Sequence, residues 1–203
     1  MSKKVAVVTG ANKGIGLAIV KGLCKAGFTG DILLTARNEK LGQEAIAGLQ
    51  SEGFKNVVFH QLDICDQGSC MKLKKFLEEK YGGLDVLINN AGIAFKTTEP
   101  FGEQAEVTMR TNFWGTLWAC HALLPILRAN ARVVNVSSFV SKKSLDQCSA
   151  ELQAKIQARV LNETRPGDGI LLNACCPGWV RTDMADQRPP KSPEEGAETP
   201  VYL

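Results

Sequence analysis

The sequence predicts an α/β protein in which helices cover both faces of a doubly wound parallel sheet. Short apolar runs typical of buried strands alternate with segments whose apolar residues recur at helical spacing. A glycine-rich turn joins the first strand to the first helix. Strands that are apolar on both faces are typical of parallel sheets. Ligands of such sheets bind beyond the carboxyl ends of the strands, so the residues after each strand are the site candidates.

The predicted elements follow the order expected for strand–helix–strand units. Strands are predicted at 5–8, 32–35, 57–62, 86–88, 133–136 and 170–174. Helices are predicted at 17–24, 41–49, 71–77, about 104–127, 150–161 and after residue 192. Asn38 is the candidate cap of the second helix, and Ser192, followed by Pro193, is the candidate cap of the last.

The glycine-rich turn is a candidate phosphate site. Its glycines allow the backbone to bend tightly and let a pyrophosphate approach it, and a helix N-terminus attracts phosphate. The alternative is a tight turn with no ligand, but its place at the first strand–helix junction favours a Rossmann-type dinucleotide site. The candidate residues are Gly10, Asn12, Lys13, Gly14, Ile15 and Gly16.

The end of the second strand indicates which dinucleotide would bind. Arg37 lies 21 residues after Gly16, where an acidic residue would bind the ribose 2′-hydroxyl of NAD. An arginine suits the 2′-phosphate of NADP instead, and Lys13 supplies a second cation. Either residue can equally be a solvated surface charge. Together they predict NADPH as the cofactor.

The ends of the third and fourth strands carry further candidates. Asp63 can accept a hydrogen bond from the adenine amino group while Ile64 packs against the ring, or Asp63 can cap a helix. The run Asn89, Asn90, Ala91 and Gly92 has two amides that can join neighbouring loops and leave backbone open to a ligand, or it forms an Asn-rich turn.

Two polar residues are candidates for the chemistry. Asn112 lies inside the long predicted helix, where asparagine is not favoured. Ser138 follows the fifth strand and can hydrogen-bond a substrate carbonyl, although the same residue can cap a turn or helix.

Composition limits the function classes. The net charge of +3 gives no indication of nucleic acid or of an anionic membrane, and no apolar run reaches a membrane span. The seven cysteines have no metal-ligand spacing, which predicts no metal site and reduced thiols in the cytoplasm. The 203 residues are expected to form one dinucleotide-binding domain, 1–203.

These motifs together resemble the short-chain dehydrogenase/reductase family, and within it the NADPH-dependent carbonyl reductases. The turn from Thr9 to Gly16 and the Asn89–Asn90–Ala91–Gly92 run match family motifs, and Asp63 matches the family's adenine-contacting aspartate. The resemblance implies that Asn112 is the structural and proton-relay asparagine and Ser138 the catalytic serine. It also implies nicotinamide contacts, and a small carbonyl compound as substrate. The implied nicotinamide contacts are Pro177, Gly178, Val180 and Thr182.

The sequence departs from the family where the proton donor is expected. The family carries a tyrosine four residues before a lysine, on the helix between the fifth and sixth strands. Residues 139–169 contain Lys142, Lys143 and Lys155 but no tyrosine, and neither Tyr81 nor Tyr202 has a lysine four residues later. The segment is also short, as though the family's insertion and the start of the catalytic helix were absent.

This departure predicts that NADPH binding is retained while carbonyl reduction is severely impaired or absent. The alternative to a carbonyl reductase is a catalytically inactive NADPH-binding isoform or a regulatory partner of active relatives. Family members usually continue to a seventh strand, so the sheet is expected to be shortened at its last strand. A splice isoform, a fragment and a diverged member all fit, and the oligomeric state and the individual substrate stay open.

Overall fold

A computed structural model describes residues 2–95, 100–138, 140, 146–147, 149, 167–184 and 189–203. Its sheet has six strands, which are numbered in chain order. They are β1 (Val5–Val8), β2 (Asp31–Ala36), β3 (Val57–Gln61), β4 (Leu84–Asn89), β5 (Leu127–Val136) and β6 (Leu171–Cys175). These strands pair in parallel in the spatial order β3-β2-β1-β4-β5-β6. The order reverses between β1 and β4, which confirms the predicted doubly wound, Rossmann-type fold.

Helices connect the strands and cover both faces. They are α1 (Gly14–Lys25), α2 (Glu39–Ser51), α3 (Gln67–Tyr81), α4 (Phe101–Thr108), α5 (Thr116–Leu123) and α6 (Pro193–Tyr202). Both predicted caps are confirmed. Asn38 Oδ1 accepts from the Leu41 N–H at 3.0 Å, and Ser192 forms a reciprocal capping box with Glu195.

The long helix predicted at about 104–127 is not one regular α-helix. It consists of α4, a seven-residue π-helical segment (Met109–Gly115), α5 and a short 3₁₀ turn (Leu124–Ile126). Apolar periodicity does not distinguish these helix types, because all of them place residues three to five apart on one face. The helix predicted at 150–161, and with it Lys142, Lys143 and Lys155, lies outside the described residues.

Strand β5 begins at Leu127, six residues before the predicted start at 133. Leu84 pairs with Leu127 and Val86 pairs with Arg132. An advance of two residues along β4 therefore corresponds to an advance of five residues along β5. This irregularity, with Asn130 at φ 62°, breaks the period-two pattern that strand prediction uses. The other strand boundaries differ from the predictions by at most two residues.

Two hydrophobic layers hold the helices to the sheet. One layer packs Leu73, Leu77 and Leu123 against one face of the strands. The other packs Ile19 and Ile46 against the opposite face. Burying a leucine or isoleucine side chain contributes roughly 1.5–3 kcal/mol, so these layers are the main stabilising term.

Helix α6 lies directly against α1. A Cβ on Gly22 of α1 would lie 2.6 Å from a methyl carbon of Val201 in α6, a distance that only glycine permits. Across the described ranges, no helix has both the length and the apolar character needed to cross a bilayer.

Candidate functional site

The predicted site residues follow the strands of the sheet at its carboxyl edge. Asn89, Asn135 and Ala174 are aligned in register across β4, β5 and β6. The Ser137 N–H donates to the Cys175 carbonyl at 2.7 Å, which extends this row by one residue. The turns after these strands therefore share one rim of the sheet with the glycine-rich turn.

Asn90 and Thr9 join the turns after β4 and β1. The Asn90 side-chain amide donates to the carbonyls of Thr9 and Gly10 at 2.9 and 3.1 Å. The backbone N–H groups of Asn90 and Ala91 donate to Thr9 Oγ1, both at 2.9 Å. This confirms the expectation that an amide at the end of β4 joins neighbouring loops. It also gives Thr9, which was not a candidate, a defined structural role.

The glycines of the turn are required by close packing. Gly10 has φ +61°, and a Cβ on it would lie 2.8 Å from the Ala91 Cα. A Cβ on Gly16 would lie 2.5 Å from Asn90 Nδ2 and 2.6 Å from the Gly10 carbonyl oxygen. The turn after β1 is thus packed backbone to backbone against the turn after β4.

The N-terminus of α1 can receive an anion. Lys13, the residue before the helix, is extended and forms no side-chain cap, and the first turn contains no acidic residue. The Lys13 ammonium instead reaches Asp183 Oδ2 at 2.5 Å. A helix N-terminus with no capping side chain and no acidic residue in its first turn has backbone N–H donors available to a phosphate group. Asn12 and Ile15 are half-buried in the same turn.

The candidates after β2 and β3 lie in different environments. Arg37 is exposed, and its carbonyl accepts from Gln61 Nε2 at 3.1 Å. Asp63 Oδ1 accepts from the Cys65 N–H at 2.9 Å, whereas Asp66 caps α3. The alternative of Asp63 as the helix cap is therefore wrong.

Ile64 is buried and packs against Gly115 of the π-helical segment, where a Cβ would lie 2.9 Å from Ile64 Cγ1. Its side chain therefore occupies the hydrophobic layer. Contact of Ile64 with an adenine ring stays a prediction.

Asn112 holds the chain that leaves β4. Its Oδ1 accepts from the Ile93 N–H and its Nδ2 donates to the Ile93 carbonyl, each at 2.8 Å. A Cβ on Gly92 would lie 3.4 Å from Asn112 Oδ1. Both polar atoms of the amide are thus engaged with backbone, which accounts for an asparagine inside a helix.

Ser138 and the segment after β6 complete the rim. Ser138 is exposed, and its Oγ accepts from the Val140 N–H at 3.3 Å. Pro177 and Val180 are buried, and Gly178 has φ +83°.

Thr182 meets the glycine turn. Its methyl carbon lies 3.3 Å from the position that a Cβ on Gly14 would occupy. The segment after β6 therefore touches the predicted phosphate-binding turn.

The sequence prediction missed that Asn89 forms a polar cluster with Asn135 and Cys120 beneath the rim. Asn89 Nδ2 donates to Asn135 Oδ1 at 2.8 Å and contacts Cys120 Sγ at 3.4 Å. Among the described side chains, Asn89 Oδ1 is a buried oxygen without a hydrogen-bond partner. Burial raises the pKa of the Cys120 thiol, against an opposing effect of the Asn89 amide. Two polar residues at the carboxyl ends of adjacent strands are the signal that could have identified this cluster.

Comparison with known proteins identifies the family of this chain. The model of the short chain dehydrogenase family matches residues 4–193. The chain belongs to the short-chain dehydrogenase family. Salutaridine reductase from Papaver somniferum has the same fold, with a TM-score of 0.80 and 28% identity over 98% of this chain and 95% of that one.

Two curated relatives of this family member are carbonyl reductases. The chain is 51% identical to "Carbonyl reductase [NADPH] 1" of Bos taurus, over all of this chain and 91% of the relative. It is 50% identical to "Carbonyl reductase [NADPH] 1" of Homo sapiens, over 98% of this chain and 90% of the relative. The carbonyl-reductase type that the sequence motifs predicted is confirmed at this level.

The alignment with the bovine relative contains internal gaps. It spans 253 positions, whereas this chain has 203 residues, so at least 50 positions of the alignment are gaps in this chain. Because the alignment covers the whole chain, these gaps lie inside it. Such gaps are expected for a short-chain dehydrogenase that lacks an internal segment. Which residues are absent stays a prediction.

The two tyrosines of this family member lie away from Ser138. The Tyr81 hydroxyl is buried and donates at 2.9 Å to Asp31, the first residue of β2 and thus at the amino edge of the sheet. Burial and the Asp31 carboxylate raise the pKa of Tyr81 well above its usual range. Tyr202 is 90% exposed at the end of α6.

Proposed function

We propose that this protein binds NADPH at the glycine turn and that its reduction of quinones, aldehydes or ketones is severely impaired or absent. The observation that carries the proposal is the position of Tyr81. It donates to Asp31 at the amino edge of the sheet, whereas Ser138 follows β5 at the carboxyl edge. Strand β2 has six residues, which places these edges roughly 16 Å apart at about 3.3 Å per residue.

The proposed binding residues fit a phosphorylated dinucleotide. The uncapped N-terminus of α1 and the turn from Gly10 to Gly16 would hold the pyrophosphate. The Arg37 and Lys13 side chains would bind the 2′-phosphate, because both are exposed cations in the turns that follow the neighbouring strands β2 and β1. The names of the bovine and human relatives, which specify NADPH, support the same assignment.

The remaining contacts of the dinucleotide are assigned by position along the rim. Asp63 and Ile64 after β3 would lie at the adenine. Backbone of residues 90–92 after β4 would border the adenine-side ribose and the pyrophosphate. Pro177, Gly178, Val180 and Thr182 after β6 would border the nicotinamide. The contact of Thr182 with Gly14 supports this last assignment, because it brings the β6 exit to the phosphate turn.

The chemistry fails at the general acid. NADPH supplies a hydride to a carbonyl carbon when it is bound. Ser138 can hydrogen-bond the carbonyl oxygen. Asn112 hydrogen-bonds the Ile93 backbone and can orient a water through this turn after β4. The developing alkoxide also needs a proton from a positioned acid, a contribution of typically about 10²–10⁴-fold. A serine hydroxyl is too weak an acid to replace the family's tyrosine. The Tyr81 hydroxyl is hydrogen-bonded to Asp31 and cannot serve in its place.

The second candidate function is a catalytically inactive NADPH-binding protein that regulates active relatives. The same position of Tyr81 favours it, and this candidate differs from the first in that its role is to regulate active relatives rather than to reduce a substrate. Residues 1–203 are proposed to act as one dinucleotide-binding domain in the cytoplasm.

Two measurements on the purified chain test the proposal. Fluorescence titration should give tight binding of NADPH and weaker binding of NADH. NADPH oxidation with a reactive quinone should then run at least about a hundredfold below an intact carbonyl reductase assayed in parallel. Turnover within tenfold of that relative would contradict the impaired chemistry. Equal affinity for NADPH and NADH would contradict the assignment of Arg37 and Lys13.

A further inference from the structure

The segment formed by residues 177–183, which we call the β6 exit segment, is anchored close to the glycine turn. Val180 forms a parallel bridge with Lys191. The Arg181 N–H donates to the Lys191 carbonyl at 2.8 Å, and the Lys191 N–H donates to the Trp179 carbonyl at 3.3 Å. The Arg181 guanidinium donates to the Pro189 carbonyl at 3.0 Å. These bonds fix the backbone on either side of Val180.

Helix α6 holds the β6 exit segment against α1. A Cβ on Gly196 in α6 would lie 2.7 Å from a methyl carbon of Val180, so the helix backbone and this side chain are in direct contact. Helix α6 packs in turn on α1 through Val201 and Gly22. Because α1 starts at the glycine turn, the β6 exit segment and the turn belong to one packed unit.

Two contacts connect the β6 exit segment to the glycine turn itself. The Thr182 methyl lies 3.3 Å from where a Cβ on Gly14 would be. The adjacent residue Asp183 forms an ion pair with Lys13, with Nζ and Oδ2 2.5 Å apart. The two side chains are exposed by 65% and 77%, and 170 residues separate them in sequence. The ion pair therefore links the β6 exit segment to a residue of the phosphate-binding turn.

We propose that Asp183 is a specificity-determining residue that weakens the binding of NADPH relative to NADH. This inference rests on the proposed function, in which Lys13 binds the 2′-phosphate. One ammonium group cannot pair fully with the Asp183 carboxylate and with a phosphate that carries up to two charges. NADH has no 2′-phosphate, so its binding does not require Lys13 to leave Asp183.

The size of the effect follows from the exposure of the pair. Exposed ion pairs typically contribute little because water and salt screen them, which corresponds here to an expected change of about two- to fivefold in affinity. The effect should be largest at low ionic strength, because salt then screens the interaction between these exposed charges least.

The test compares Asp183→Asn with the original chain by NADPH and NADH fluorescence titration at low salt. Asp183→Asn keeps the side-chain shape and removes the charge, so the NADPH Kd should fall about two- to fivefold while the NADH Kd is unchanged. Glu78→Gln is the matched control. Glu78 is an exposed carboxylate near the end of α3, which leads to the amino edge, and its loss makes the same change in net charge.

A second background links the effect to Lys13. In a Lys13→Met chain, the further change Asp183→Asn should leave the NADPH Kd unchanged, because the group for which phosphate and carboxylate compete is gone. An additive effect of the two substitutions would overturn the proposal.

The remaining outcomes separate this inference from the proposed function. Equal NADPH affinity of the original chain and Asp183→Asn, with NADPH still preferred over NADH, would overturn the role of Asp183 and leave the proposed function standing. Equal tightening of both dinucleotides would also overturn it, because the 2′-phosphate is then not involved. Failure of both chains to bind NADPH would overturn the inference and the proposed function together. Binding by Asp183→Asn alone would support competition at Lys13.

Discussion

Asn90 donates two hydrogen bonds to Thr9, one from its backbone to the Thr9 side chain and one from its side chain to the Thr9 backbone. The Asn90 N–H donates to Thr9 Oγ1, and Asn90 Nδ2 donates to the Thr9 carbonyl, both at 2.9 Å. Thr9 directly follows β1 and Asn90 directly follows β4, the two strands between which the sheet order reverses. The pair therefore fixes the switch point at which a dinucleotide would bind.

Thr9→Val tests this pair. The substitution keeps the shape of the side chain but leaves the N–H groups of Asn90 and Ala91 without their acceptor. We expect the free energy of unfolding to fall by about 1–3 kcal/mol and NADPH affinity to weaken, because the turns lose their mutual support. Urea unfolding and fluorescence titration measure the two effects. Thr29→Val, at an exposed threonine, is the control and should change neither quantity.

Gly16→Ala tests the close packing of the glycine turn. The added Cβ would lie 2.6 Å from the Gly10 carbonyl oxygen, so backbone must move. We expect a loss of about 3 kcal/mol or more in the free energy of unfolding. Gly48→Ala in α2 is the control, because a Cβ there meets no atom within 4 Å and should stabilise by about 0.5–1 kcal/mol. Equal effects of the two substitutions in urea unfolding would contradict the packing argument.

Arg37→Gln tests the choice of dinucleotide. Removing an exposed guanidinium should weaken NADPH roughly tenfold or more, because a charge-assisted hydrogen bond to the 2′-phosphate is lost. The NADH Kd should not change. Lys25→Gln, at an exposed lysine near the opposite end of α1, controls for net charge. If NADH weakens as much as NADPH, Arg37 does not bind the 2′-phosphate.

Tyr81→Phe tests whether Tyr81 has a structural or a catalytic role. Loss of the hydroxyl removes the donor to the buried Asp31 Oδ2, so the free energy of unfolding should fall by about 1–3 kcal/mol. NADPH affinity and any residual quinone reduction should be unchanged, because Tyr81 lies at the amino edge. Tyr202→Phe, at an exposed position, should alter neither stability nor turnover. A selective loss of turnover in Tyr81→Phe would show that this residue takes part in the chemistry.

Local sequence patterns determined most of the architecture. The apolar runs of β1 to β4, the caps Asn38 and Ser192 and the glycine turn depend on residues near one another in the chain, so they could be recognised without the fold. The sequence also determined that no tyrosine lies between 139 and 169, and hence the predicted defect in the general acid. Each of these properties belongs to a short segment or to composition.

Only the tertiary structure decided which distant residues meet. The early start of β5 depends on pairing with β4, and the π-helical segment carries Asn112, which bonds to Ile93. The burial of Tyr81 against Asp31 and the ion pair of Lys13 with Asp183 depend on crossovers that join residues 50 and 170 positions apart. The spacing of apolar residues along the sequence does not predict such pairs, because they form only when the sheet order brings the ends of separate strands together.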